Sequence, residues 1–221
     1  MKKKFSLLIA LMPLAGLIAF APLAANAQDD AQADFERAWY ATCYTNKDME
    51  KCYQQSKEML EKYSKSTYVE NAKVRIKVYE QNKAWEKFQA AFEVYYKQPP
   101  QDAAKIEGLF AAGDAFLQIE PDRQAPSHLY ALGQMALAGH QASISRIYDK
   151  LDKVKDYVER AMKAFESAQA SEETRKDFEL YVVPLKDLVI ANGAQFLGFR
   201  LIETKGDANQ ALEYLTQATK V

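Results

Sequence analysis

Beyond an apolar N-terminal run, the chain repeats apolar positions at helical spacing almost to its end. Residues 33–44 read as one helix, and Thr45-Asn46-Lys47-Asp48 supplies turn and N-cap chemistry. A second pattern follows through Met49, Cys52, Tyr53, Ser56, Met59, Leu60 and Tyr63, and ends over 62–66. Residues 67–98 contain no glycine or proline, and from Trp85 the apolar steps through Phe88, Phe92 and Tyr95 make a single stripe. Gln81-Asn82-Lys83 interrupts the pattern for nearly one turn, so a kink or a helix–helix turn is expected there. Pro99-Pro100 then stops the helix.

Asp102 can cap a helix over 103–119, with Leu109, Gly113 and Phe116 facing inward. Pro126 fits the first turn of the next helix, expected to end at Gly139-His140. Its partner is expected over about 145–170. Ser171 opens a further helix that Pro184 should kink or split. Over 195–221, two short apolar patterns flank a Lys205-Gly206-Asp207 turn, and Ala211, Leu215 and Ala218 share one face. The expected fold class is all-α.

These pairs resemble tetratricopeptide repeats, helix–turn–helix units that pack through small residues. The resemblance is carried by three triplets: Cys52, Ser56 and Met59; Ala161, Phe165 and Ala168; Ala211, Leu215 and Ala218. It is carried also by the doublets Leu132-Gly133 and Leu197-Gly198, and by Glu120-Pro121-Asp122, similar to the Asp-Pro close of such repeats. It covers 33–66, 108–170 and 195–221. It implies stacked antiparallel helix pairs, an α-solenoid forming a single domain over 28–221. It also implies a concave groove that binds segments of other proteins. The spacing departs from the pattern once, because Gly133 precedes Ala161 by 28 residues and Gly198 precedes Ala211 by 13. The extra residues, roughly 140–154, are expected to lengthen the second helix through Ile147, Leu151 and Val154. No polar capping helix follows the last matching helix. Leu212 and Leu215 are therefore expected to leave an apolar end: either the chain is a fragment, or that end packs on the bundle itself or on another subunit, and of these a homo-oligomer contact is the expectation.

The N-terminus changes the picture of where this fold works. Lys2-Lys3-Lys4, an apolar run over 5–23 broken by Pro13, Gly16 and Pro22, and the small-residue site Ala25-Asn26-Ala27 read as a secretory signal peptide over 1–27. The expected location is periplasmic or secreted. No later stretch is long and apolar enough to span a bilayer. Loss of the three lysines moves the net charge from −1 to about −4, which argues against nucleic acid or anionic lipid as partner. Scarce glycine and proline, 8 and 7 in 221 residues, favour helix throughout.

Export also bears on the only two cysteines, Cys43 and Cys52. Overlaying the repeat-like triplets puts Cys43 on the first helix of its pair, facing Cys52 across the turn. A Cys43–Cys52 disulfide is expected, contributing roughly 2–3 kcal/mol by loop closure. Two buried free thiols are the alternative. A redox pair is disfavoured, because the Cys-x-x-Cys spacing is absent.

The sequence carries few motifs of catalysis or metal binding. His128 and His140 lack a second ligand at metal spacing, and His128, just past Pro126, reads as a surface or cap residue. No glycine-rich phosphate loop or serine-nucleophile motif occurs. No catalytic, cofactor-binding or metal residue is nominated, and no cofactor is implied. The expectation is an exported non-catalytic scaffold or adaptor that binds other envelope proteins. The alternative is a module for a small envelope ligand, a glycan or lipid fragment, and an exported enzyme stands third. Clustering of Trp39, Trp85 and tyrosines round one cavity would favour the ligand module. Their spread along a groove or within the core would favour the adaptor.

Overall fold

A computed structural model describes residues 27–98, 102–120 and 122–221. The segment expected to be a signal peptide, apart from Ala27, lies outside the described residues, as do Pro99-Pro100 and Pro121. Every regular element among the described residues is helical. In order they are α1 (Ala27–Tyr40), a π-helical segment (Ala41–Asn46), α2 (Met49–Lys62), α3 (Val69–Lys97), α4 (Ala103–Ile119), α5 (Pro126–Ile144) and α6 (Leu151–Glu166). After them come the single turn α7 (Arg175–Asp177), a second π-helical segment (Phe178–Val182), α8 (Val183–Glu203) and α9 (Ala208–Ala218). Contacts gather them into two compact units, divided between Asn82 and Lys83, where the repeat resemblance implies a single domain.

In the first unit, α1 runs directly into the π-helical segment. Lys47, in the left-handed region at φ 54°, ends that segment. Asp48 then caps α2, accepting from the Lys51 N–H at 3.1 Å. The face predicted from spacing is buried: Cys52, Ser56 and Met59 all point into the core. Trp39, Cys43 and Ala72 complete it, and Phe35, Tyr44, Tyr63 and Tyr68 pack around it. Burial of so large an indole requires a partner for its N–H, and Trp39 Nε1 donates to Ser56 Oγ at 2.8 Å. Cys43 and Cys52 are bonded through sulfur with their Cα atoms 5.0 Å apart, tying the π-helical segment to α2. The buried Arg75 of α3 lies with its guanidinium 4.2 Å from the Tyr44 ring centre, a cation–π contact.

The helix–helix turn, one of the two expectations at Gln81-Asn82-Lys83, does not occur, because α3 is continuous from Val69 to Lys97. Polar side chains alone do not end a helix whose backbone bonds are intact and whose interior lacks glycine and proline.

In the second unit, Asp102 caps α4 through the Lys105 N–H at 2.8 Å, and Asp207 caps α9 through Asn209 and Gln210. The hub is α5, which packs against α4, α6 and α8. Its sequence explains this. Leu129, Leu132 and Met135 are interleaved with Ala131, Gly133, Ala136, Ala138, Gly139 and Ala142, all buried, so the helix is apolar over most of its surface and small enough for three neighbours. At Gly133 an added Cβ would sit 2.7 Å from Leu185 Cδ2 and 3.0 Å from two Phe165 ring atoms. At Gly198 it would sit 2.7 Å from Leu215 Cγ.

Three boundaries differ from expectation. α5 passes through Gly139-His140 to Ile144, and α6 begins at Leu151 rather than near 145. Residues 145–150 turn instead, with Arg146 at φ 56° and the Ile147 N–H donating to the Ala142 carbonyl at 2.9 Å. α6 ends at Glu166, so Ala168 of its triplet falls outside the helix. Pro184 stands in the first turn of α8, where the helical run from Arg175 is split by a π-helical segment, as expected of a proline there. It cannot donate to a carbonyl four residues back, and the chain before it is widened into the π-helical turn.

Candidate functional site

Within the second unit, α4, α5 and α6 enclose a cleft of about 520 Å³. Asp114 and Gln118 enter it from α4, Arg123 and Gln124 from the following loop, His128 from α5, and Arg160 and Lys163 from α6. The loop is held across the cleft by Gln124 Oε1, which accepts the Gln169 N–H at 3.1 Å. Asp114 Oδ2 accepts the Tyr157 hydroxyl at 2.6 Å. Arg160 pairs with Asp156 at 3.1 Å, with both side chains well exposed. Arg123 and Lys163 have no carboxylate partner among the described residues. Helix α5 starts here without a side-chain cap, which leaves first-turn N–H groups and the positive end of its dipole at the cleft.

His128 is not the surface residue its neighbourhood suggests: it is 8% exposed. Its ring hydrogen-bonds the Glu120 backbone carbonyl, and Nδ1 has no partner. Nε2–H is then the donor to Glu120, and Nδ1 presents a lone pair. Burial pushes its pKa below 6.5, with Arg160 and Arg123 adding to the effect and Asp122 opposing it. His140 is likewise buried, 7% exposed and edge-on to Phe196, and burial lowers its pKa. Both imidazoles are therefore neutral in the folded chain near pH 7. They sit where tertiary packing encloses a helix, which the local sequence did not signal. The clustered basic residues near 160 were visible, but on a helix of period 3.6 they read as a solvated face.

A second feature of this unit is a band of aromatic rings. Phe92 meets Tyr96 at 4.6 Å and Tyr130 at 6.4 Å between ring centres; Tyr130 meets Trp85 at 6.1 Å and Tyr181 at 6.4 Å. Phe92, Tyr96, Tyr130 and Tyr181 are half-buried, and burial raises the Tyr96 and Tyr130 hydroxyl pKa values. Trp85 and Tyr95 are buried, and Tyr95 donates to the Ala138 carbonyl at 3.2 Å. Trp39 belongs to the core of the first unit, and Trp85 to the second unit.

A third cluster is structural. Glu107 accepts from the Tyr148 hydroxyl at 2.6 Å, Lys150 Nζ at 2.7 Å and Lys153 Nζ at 2.9 Å. These bonds hold the turn between α5 and α6 onto α4 and lower the Glu107 carboxyl to about 2.

Among the described residues, no three or more His, Cys, Asp and Glu side chains are grouped to hold a metal ion. No described helix is long and apolar enough to cross a membrane. Comparison with protein-family models, curated proteins and solved structures finds no match.

Proposed function

We propose that the chain is an exported, non-catalytic helical scaffold, built of tetratricopeptide-like pairs, that binds a segment of another envelope protein. The observation that carries this reading is the half-buried band of Phe92, Tyr96, Tyr130 and Tyr181. Half-buried aromatics offer large contact area with little side-chain entropy to lose, which is the character of binding anchors. The close helix contacts at Gly133 and Gly198 support the repeat-like pairing, and the Cys43–Cys52 bond is in keeping with export. The test is a crosslinking pull-down from envelope extract of the source cell, comparing the exported chain with a Tyr130→Ala, Tyr181→Ala variant. A saturable protein partner lost in the variant supports the reading. Capture unchanged in the variant removes the aromatic band from it.

A second reading, a module for a small envelope ligand, is favoured by the cleft between α4, α5 and α6. Its volume is in the range of small-ligand sites.

A further inference from the structure

The cleft between α4, α5 and α6 is charged in a way its own side chains do not balance. Arg123, Arg160 and Lys163 face one carboxylate, Asp114, which already accepts the Tyr157 hydroxyl. Arg123 and Lys163 have no carboxylate partner among the described residues, and Arg160 reaches only the exposed Asp156. The uncapped start of α5 adds unpaired N–H groups and a positive dipole end at the same place. Independently of these, the His128 ring forms part of the wall while 92% buried, with Nδ1 unpartnered. That nitrogen is wholly shielded and presents a lone pair, so it becomes a donor beside the cleft only when the ring is protonated.

We propose that this cleft binds a small phosphate-bearing ligand, inorganic phosphate or a phosphate monoester, with Arg123, Arg160 and Lys163 on its oxygens and His128 behind them. The charge decides between anions. A phosphate monoester carries about −1.5 to −2 near neutral pH, which matches the two cations that have no carboxylate partner, Arg123 and Lys163, whereas a single carboxylate leaves one of them unbalanced. Guanidinium groups also suit phosphate, because they can donate two parallel hydrogen bonds. The cleft is larger than a phosphate ion, and Gln118 and Gln124 line the remainder with amides able to bond a polar body. The inference rests on the small-ligand reading and names its ligand class.

A bound dianion also changes His128. Burial, Arg160 from α6 and Arg123 from the loop oppose its protonation, while the hydrogen bond to the Glu120 carbonyl and Asp122 from the loop favour it; Lys163 from α6 and Asp114 from α4 line the same cleft. A dianion among the three cations cancels their effect and favours the imidazolium. By linkage, an anion that does not itself titrate, such as sulfate, binds more tightly as pH falls through the His128 titration.

The experiment is calorimetric titration of the exported chain with inorganic phosphate at low ionic strength and pH 7.5, beside acetate and an uncharged trisaccharide. The expected result is saturable phosphate binding, at least about tenfold weaker for acetate and for an Arg160→Gln, Lys163→Gln variant. Both substituted side chains are exposed enough for the fold to survive, which circular dichroism checks. Absence of saturable phosphate binding, equal binding by the variant, or acetate as tight as phosphate each overturns the proposal. If the trisaccharide binds and phosphate does not, the small-ligand reading stands and the phosphate assignment falls; if nothing binds, both fall. In the unsubstituted protein, the His128 ring signal followed by NMR should titrate at higher pH with sulfate than without. An unchanged midpoint overturns the role given to His128.

Discussion

Replacing Ser56 by alanine tests whether the first unit is held by one buried polar contact inside an apolar core. Trp39 and Ser56 are both fully buried, and the indole N–H has Ser56 Oγ as its acceptor at 2.8 Å. Ser56→Ala leaves that N–H in the core without a partner and without access to water. An unsatisfied buried donor costs about 1–3 kcal/mol. Alanine is the better helix former inside α2 and returns roughly 0.5 kcal/mol. The expected net loss is about 1–2 kcal/mol. Denaturant unfolding followed by circular dichroism and by tryptophan emission measures it, and an unchanged slope with denaturant would place the effect in stability. The companion variant is Trp39→Phe, which removes the donor together with part of the ring. In a double-mutant cycle, Ser56→Ala should cost much less in the Trp39→Phe background, with a coupling of about 1 kcal/mol. Should Ser56→Ala prove neutral within about 0.3 kcal/mol, or the two changes simply add, the hydrogen bond is not what organises this core.

Two further outcomes follow from the same geometry. Replacing both Cys43 and Cys52 by alanine should cost about 2–3 kcal/mol, because a bridge between residues 9 apart restricts the unfolded chain. Hydrogen exchange should show the loss of protection concentrated in 27–82, and an equal loss throughout 83–221 would refute its assignment to the first unit. Glu107→Gln should lower stability by about 1 kcal/mol at pH 7, discounted for solvent screening because a third of the side chain is exposed. The folded-state pKa of Glu107 is depressed to about 2 from an ordinary value of 4.5. Its contribution is therefore complete above about pH 4.5 and is lost as pH falls towards 2. A thermal-melt difference between variant and parent that persisted at pH 2 would refute that origin.

What the sequence makes legible here is local chemistry. Asp48, Asp102 and Asp207 each cap the helix that follows them, because an N-cap is decided within three residues. The buried face of α2 was readable for a similar reason, since period 3.6 brings Cys52, Ser56 and Met59 to one side. Where helices end was less legible when the cause is not local. Gly139 looked like a helix terminator, yet it lies inside α5, where an added Cβ would be 3.1 Å from Val154 Cγ1. The same residue type serves a C-cap or a close helix contact, and only the neighbouring helix distinguishes them. The following turn depends on Arg146 adopting φ 56°, a conformation arginine does not advertise. The cleft was hidden more completely, since its cations come from one loop and one helix, and His128 is buried by elements remote in sequence.

The repeat-like doublets show how a correct local inference can say less than it seems to. Leu132-Gly133 and Leu197-Gly198 both put glycine beneath a leucine of a neighbouring helix, Leu185 in one case and Leu215 in the other. That is the packing role the resemblance predicts. Close approach of two helices demands a small residue whatever the connectivity, so the doublet reports the distance between helices and not their order along a stack. The order must come from which helices meet. In a regular stack, each pair contacts only its neighbours. Here α8 and α9 make a simple pair across the 204–207 turn, while α5 touches α4, α6 and α8 and keeps one partly exposed stripe, Tyr130, Gln134, Leu137 and Gln141. A helix so enclosed has only that narrow stripe to contribute to a groove. Any groove of the second unit must therefore be made largely by the helices around α5. The partly exposed rings of α3 and the basic face of α6 are placed for that role, and α5 adds Tyr130 from its stripe and His128 at its N-terminal end.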